Sequence, residues 1–191
     1  MAKPKVKFGL KNVHYALLTT GDDGVLSFAT PKPLPGGVNM SFAPQGDTEP
    51  FYADDVAYYV TVANNGYQGD LEIALIPDEF RQDVLGDKLD PTDKVLVEDA
   101  TAESKPFALL YQVANDQKPT RRVFFNCTAA RPAENNSTIS KTKTPQTETL
   151  TLTVAPLASG IIRAKTTEET PQSVYDGWFN QVWQPTAPQE V

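Results

Sequence analysis

The sequence predicts a mainly β protein, either an antiparallel β-sandwich or a partly open barrel of short strands. Two observations favour this fold class. The chain contains 16 prolines, which interrupt helices. Apolar and polar residues alternate with a period of two in several short runs, and these runs end at turn-forming residues. With 191 residues and 40% apolar content, residues 1–191 are expected to form one domain with its own core.

The chain has 17 Lys and Arg residues against 24 Asp and Glu residues, which gives a net charge of −7. Because binding to a phosphate backbone depends mainly on Lys and Arg, this chain is a poor candidate for wrapping nucleic acid or for an anionic membrane surface. No apolar run is long enough to span a membrane, and the N-terminus does not resemble a signal peptide. One cysteine, Cys127, cannot form an intrachain disulfide, which suits synthesis in a cytoplasm.

The N-terminal third predicts strands joined by polar or proline-rich segments. Residues 1–7 are expected to form an N-terminal extension that either moves freely in solvent or lies on a neighbouring subunit. Residues 13–17 alternate as a strand, residues 21–24 predict a turn, and residues 25–29 the returning strand. The Pro- and Gly-rich segment 30–37 predicts an extended loop before the next strand, at residues 38–43.

A second loop is predicted at residues 44–50. It is polar throughout and offers almost nothing to bury: Pro44, Gln45, Gly46, Asp47, Thr48, Glu49 and Pro50. Such a loop gains little from packing against its own domain, so its partners are expected elsewhere.

Residues 51–76 predict a β-hairpin. The first strand, residues 51–62, carries apolar side chains on both faces, and such a strand is usually covered on both sides. The run Asn64-Asn65-Gly66 predicts a tight turn, because Asn-Gly favours positive φ. In the returning strand, alternation points Asp70 and Glu72 outward, away from the core.

A short helix is expected directly after this hairpin. Pro77 suits the first position of a helix, where its missing N–H is not needed. Phe80, Val84 and Leu85 would form one apolar stripe, and Gly86 would end the helix with positive φ. A helix of this length is not stable alone, so it is expected to pack on the sheet.

Farther along the chain, residues 107–114 and 121–130 predict a second hairpin, with Cys127 as a small core side chain. Residues 131–149 predict a long surface loop, and residues 150–154 a strand. Residues 161–165 could then pair with a neighbouring strand.

At the C-terminus, Thr170 would cap a helix that begins at Pro171. The aromatic residues Trp178, Phe179 and Trp183 in this region leave two alternatives open. The helix either packs on the sheet of its own chain or contacts an adjacent subunit, since tryptophans serve both cores and interfaces. Residues 184–191 are expected to form a loose tail.

The sequence contains no arrangement typical of catalysis, and we expect neither an enzyme nor a metal or cofactor site. The one histidine, His14, lies in a predicted strand without a second histidine nearby. Asp54 and Asp55 would point to opposite faces of a strand, and Asp78 and Glu79 suit a helix start. No phosphate-binding loop or nucleophile elbow is present.

Several segments resemble one known family, the major tail proteins (tail tube proteins) of long-tailed bacteriophages, especially those infecting Gram-positive hosts. The resemblance rests on the runs KFGLKNVHYA at residues 7–16, FYADD at 51–55, GDLEIA at 69–74, IPDEF at 76–80 and VLG at 84–86. It covers most of the chain, with weaker signals in the C-terminal third.

The resemblance implies a structural virion protein, assembled in the host cytoplasm and located in the virion tail. In that family six subunits close a ring and rings stack into a tube, with tape measure and tail terminator proteins as partners. An acidic lumen would let DNA pass without specific binding. Residues 44–50, together with 30–37, would then be candidates for contact with the next ring. The alternative is a monomeric, non-enzymatic β-sandwich that binds a ligand or carbohydrate on its tryptophans.

Overall fold

The structure, a computed structural model, describes residues 4–21, 25–138 and 144–185. It confirms the mainly β prediction, with an antiparallel sheet that dominates the fold. The strands are β1 Lys7–Thr20, β2 Leu26–Phe28, β3 Lys32–Pro33, β4 Gly37–Gln45, β5 Thr48–Ala53, β6 Val56–Val62, β7 Gly66–Ile73, β8 Lys88–Leu89, β9 Leu96–Val97, β10 Phe107–Asn115, β11 Thr120–Ala129, β12 Glu148–Val154 and β13 Arg163–Lys165.

The main sheet is strongly curled. Its strands follow the order β2-β1-β10-β11-β12-β7-β4, with β13 paired to β11 and β3 paired to β1. The start of β4 comes back beside β1, since a Cβ built on Gly37 would lie 3.0 Å from Val13 Cγ2 and 3.2 Å from Leu10 Cδ2. Within the described residues β1 and β4 form no strand pair, so the barrel stays partly open between them.

The interior of the curled sheet holds the larger core, to which Tyr15, Phe107, Leu150 and their neighbours contribute. A short helix follows β7 as expected: α1 spans Asp78–Phe80 and continues as a π-helical segment, Arg81–Leu85. Phe80, Val84 and Leu85 are completely buried in this core. The segment ends at Gly86 with φ of 80°, which confirms the predicted left-handed residue there.

The outer face of β1, β10 and β11 is covered by the C-terminal segment. This segment begins with α2, Gln172–Gly177, and its Trp178 and Val182 pack on Ala16, Leu110 and Phe125 of the sheet. The chain therefore has a second, smaller core on the outside of the barrel. The other half of the sheet, formed by β12, β7 and β4, has no such cover among the described residues.

The structure corrects the predicted first hairpin. Its turn is at Asp54 and Asp55, which both have positive φ, of 50° and 61°, and it joins β5 to β6. The run that ends in Gly66 is not a turn but the entry to β7, which pairs with β4 and β12. Backbone hydrogen bonds from Ala63 N to Asp47 O and from Asn65 N to Gln45 O join the two strand pairs into one long hairpin.

Both predicted loops of the N-terminal half are therefore wrong in part. Residues 44–50 are not a loop: Pro44 and Gln45 end β4, and Thr48–Ala53 is a strand. Residues 30–37 include the short strand β3, and Leu34 within them is 1% exposed. Segment 30–37 thus packs on its own domain, because it supplies a core side chain.

The termini also differ from expectation. Lys7 already belongs to β1, and the backbone N–H groups of Lys5 and Val6 donate to the carboxylate of Asp116, so residues 5–7 are fixed on the sheet. Thr170 does not cap α2, since its hydroxyl accepts from Thr167 N instead. Residues 22–24 of the turn predicted at 21–24, and residues 186–191 of the tail predicted at 184–191, lie outside the described residues.

The second hairpin, β10 with β11, and the strand β12 are where the sequence placed them. The stretch between β11 and β12 contains no strand within the residues described, 130–138 and 144–147, which agrees with a surface loop. β13 pairs with β11 of the same chain.

Candidate assembly surfaces

The most conspicuous surface of the molecule is a hairpin that projects from the sheet, formed by β5, β6 and the turn between them. We call residues 48–62 the arm. Every residue of the arm is exposed except Ala53, which is half-buried. The arm pairs only with itself among the described strands, through registers such as Phe51 with Tyr59 and Pro50 with Val60.

The arm carries many exposed aromatic and aliphatic side chains. Phe51 is 63% exposed, Tyr58 74%, Tyr59 64% and Val62 71%. Large exposed apolar patches are uncommon on monomeric proteins and mark sites of interaction. An isolated two-stranded hairpin is also marginally stable in water, so this arm gains from a covering partner.

The predicted loop residues now have a place in this arrangement. Gly46 and Asp47 lie at the joint between β4 and β5, and Thr48, Glu49 and Pro50 begin the arm. The segment 44–50 is therefore the root of the arm. Its backbone partners lie across the hairpin in its own chain, and its side chains are exposed.

A second surface is the bare outer face of β12, β7 and β4. Cross-strand registers place Ser41 beside Asp70 and Thr151 on the other side of Asp70. The hydroxyl of Thr151 donates to Asp70 at 2.7 Å, and that of Thr147 donates to Glu72 at 2.7 Å. The outward residues of this face include no Lys or Arg: Asn39, Ser41, Ala43, Gln68, Asp70, Glu72, Thr149, Thr151 and Thr153.

The aromatic residues of the C-terminal segment pack on their own chain. Trp178 is 3% exposed, and its Nε1 donates to the carbonyl of Arg122 at 3.4 Å. The Trp183 ring stacks on Trp178 with centroids 6.3 Å apart, and the Phe179 ring lies 4.8 Å from the His14 ring. Contrary to the prediction, these three residues lie beyond the helix, because α2 ends at Gly177. Trp178 packs on the sheet of its own chain, which is the first of the two alternatives.

Catalytic and metal-binding arrangements are not apparent in the described part of the chain. No group of three or more His, Cys, Asp or Glu side chains there is placed to hold a metal ion. Cys127 is completely buried, and burial raises the pKa of its thiol well above the usual range. The His14 ring is 3.0 Å from the Asn12 carbonyl through its Nδ1 atom.

The described helices are all too short to cross a membrane.

The sequence predicted the apolar strand of the arm, but it did not predict that a hairpin turn divides this strand in two. The available signal was the pair Asp54-Asp55, since Asp tolerates the left-handed conformation better than most residues.

Neither the models of known protein families nor the curated proteins give a match to this chain.

Proposed function

We propose that this chain is a structural subunit of a bacteriophage tail tube, in which copies close hexameric rings that stack into a hollow tube for DNA. The proposal rests on the resemblance of residues 7–16 and 51–86, and one structural observation supports it most directly. That observation is the arm, whose apolar side chains have no partner within the described chain. A subunit that must adhere to copies of itself needs such a surface.

The energetics of the arm favour a protein partner. Burying a Phe or Val side chain contributes about 1.5–3 kcal/mol, and the arm offers several such residues, among them Phe51, Val56, Val60 and Val62. In a monomer this contribution is absent, while the exposed strands promote uncontrolled association. A defined partner for the arm removes both disadvantages.

The bare sheet face supplies the second support. The carboxylates of Asp70 and Glu72 face outward on it, and no Lys or Arg accompanies them. A tunnel lined by such a face repels the phosphate backbone, so DNA slides along it without adhering. We assign the outer face of β12, β7 and β4 to the lumen of the proposed tube.

The test is electron microscopy of the purified, full-length chain, with rings or tubes as the expected result. A variant in which Asn-Gly replaces the arm joins Asp47 to Ala63, which already pair through their backbones. This variant is expected to keep the melting temperature of the parent, because the arm contributes nothing to either core, and to form no tubes.

A matched pair of double variants separates the arm from general surface hydrophobicity. Tyr58→Ser/Tyr59→Ser is expected to prevent assembly. Val95→Ser/Val97→Ser removes two exposed apolar side chains in and next to β9, and it is expected to leave assembly intact. Isolated monomers from the unaltered chain would contradict the proposal and favour the rival, a monomeric binding module. Such a module would bind its ligand on exposed tryptophan rings, and Trp178 is buried.

A further inference from the structure

A cleft of about 440 Å³ lies where the barrel is open, between the first half of β1 and β4. We call it the cleft. Its rims are residues 7–10 of β1 and 38–42 of β4, and its floor includes the aromatic rings of Tyr67, Tyr111 and Phe124. Phe8 and Val38 on the rims are 65% and 54% exposed. The rims therefore present exposed apolar side chains, and the cleft is open to a partner.

Both rims are free strand edges. Within the described residues, β4 pairs only with β7, and β1 has no strand partner on its second edge before His14. Free edges present rows of backbone N–H and C=O groups, which an added strand can satisfy. A hairpin that enters the cleft therefore finds hydrogen-bonding partners on either side and aromatic rings beneath it.

The cleft is also basic in an acidic protein. Lys7, Arg122 and Arg163 line it, and it contains no Asp or Glu. None of these three cations forms an ion pair with a carboxylate in the described chain. Arg163 lies over the Tyr67 ring with Cζ 4.9 Å from its centroid, and the buried Nε of Arg122 has no acceptor.

The arm has the opposite charge and, like the cleft, carries several aromatic side chains. Its charged residues are Glu49, Asp54 and Asp55, and it contains no Lys or Arg. Three acids on an aromatic hairpin thus match three cations that lack a carboxylate partner in the cleft. Complementary potentials of this kind guide association and fix its register.

We propose that the cleft is the docking site for the arm of a second copy of this chain. This inference rests on the proposed function for the idea that the arm serves assembly, and it adds the surface that receives the arm. The arm and the cleft are different surfaces. When the arm of one copy docks in the cleft of the next, a free cleft remains at one end of the pair and a free arm at the other. Such a head-to-tail contact propagates, as a stacked assembly requires.

Disulfide cross-linking between two full-length variants tests the contact directly. Tyr58→Cys places a thiol on the arm, and Phe8→Cys places one on the rim of the cleft. The native Cys127 is completely buried and does not compete. After mild oxidation of the mixture, we expect a covalent heterodimer on a non-reducing gel.

The matched control uses Val95→Cys in place of Phe8→Cys. Val95 is 56% exposed and is distant in sequence from the residues of the cleft. We expect at least about tenfold less heterodimer from the control, because only docked thiols meet the geometry of a disulfide.

Charge reversal tests the electrostatic part. Lys7→Glu/Arg163→Glu in the cleft-bearing partner changes the cleft from three cations to one cation and two carboxylates. We expect the heterodimer yield to fall about tenfold, since like charges then face each other. The control, Lys94→Glu/Lys105→Glu, makes the same change of net charge at exposed positions outside the cleft and is expected to keep the yield.

Equal cross-linking to Phe8→Cys and Val95→Cys, or no heterodimer at all, would overturn the docking proposal. Tubes seen by microscopy without this cross-link would leave the tube subunit proposal standing and move the docking site elsewhere. The specific cross-link without any tubes would leave the docking site standing and contradict the tube.

Discussion

The backbone of Gly66 lies directly against the carbonyl group of Val154, where β7 enters the sheet beside β12. A Cβ at position 66 would overlap the Val154 carbonyl oxygen, and Gly66 has φ of 109°, a conformation that favours glycine. These two constraints have one origin, because the chain must bend closely around the end of β12 to return from the arm.

We therefore predict that Gly66→Val destabilises the fold by about 2–4 kcal/mol, the sum of a strained backbone and a forced shift of β12. The control is Gly160→Ala. Gly160 also has positive φ, of 79°, but nothing lies within 4 Å of a Cβ there. It should lose only about 1 kcal/mol. Urea denaturation measures both, and equal losses would show that the contact with Val154 has no energetic importance.

Gly66 also explains why the sequence misplaced the turn. The run Asn64-Asn65-Gly66 is a strong hairpin signal, and the positive φ of Gly66 was predicted correctly. That conformation serves the close approach to Val154, which is a contact distant in sequence and invisible to a local pattern. The actual turn at Asp54-Asp55 contains no Gly or Pro, so its local signal is weaker than that of Asn65-Gly66.

Features that depend on local chemistry were predicted well. The alternation of Leu150, Leu152 and Val154 gave a strand, and all three side chains are buried. The helical segment Asp78–Leu85 followed from proline, an apolar stripe and glycine, although Pro77 lies just before the first helical residue and not at it. The cleft could not be predicted, because it depends on how far β1 and β4 separate, and this distance is set by the curvature of the whole sheet.

A second prediction concerns alkaline pH. The Tyr15 hydroxyl donates to Asp83 at 2.9 Å, and Lys32 Nζ lies 2.6 Å from the same carboxylate. Burial, strengthened by Asp83, raises the pKa of Tyr15 far above its usual value near 10, and hydrogen bonds to Asp83 and Glu79 raise the pKa of Lys32.

Above about pH 10 the unfolded chain releases the Tyr15 proton while the folded chain keeps it, so stability falls as pH rises. The slope from Tyr15 is at most about 1.4 kcal/mol per pH unit. Tyr15→Phe should reduce this slope. Denaturation curves between pH 8 and about pH 11 measure it, and a Tyr15→Phe slope equal to that of the parent would refute this interpretation.

A third prediction uses the single cysteine as a reporter of the core. Cys127 is 0% exposed, and burial raises the pKa of its thiol, so very little reactive thiolate reaches solvent in the folded chain. Labelling by a thiol reagent at pH 8 should be at least about 100-fold slower than in denaturant, because it waits for the core to open. An added exposed thiol, Val95→Cys, should react rapidly in the folded protein. Fast labelling of native Cys127 would mean that the barrel opens readily around β11.

A final prediction tests the assignment of the acidic sheet face to the lumen. Asp70→Lys/Glu72→Lys converts two outward carboxylates into cations, at the cost of two surface hydrogen bonds from Thr151 and Thr147. In a closed ring these cations would surround DNA on all sides, and a narrow channel concentrates their field. Assembled tubes of this variant should therefore retain duplex DNA on sedimentation at low salt and release it as salt rises.

The control, Glu134→Lys/Glu169→Lys, makes the same change of charge at two exposed positions outside this face. Its tubes should retain much less DNA, because scattered cations on an outer surface engage few phosphates at once. Equal retention by the two variants would place β12, β7 and β4 somewhere other than the wall of the channel.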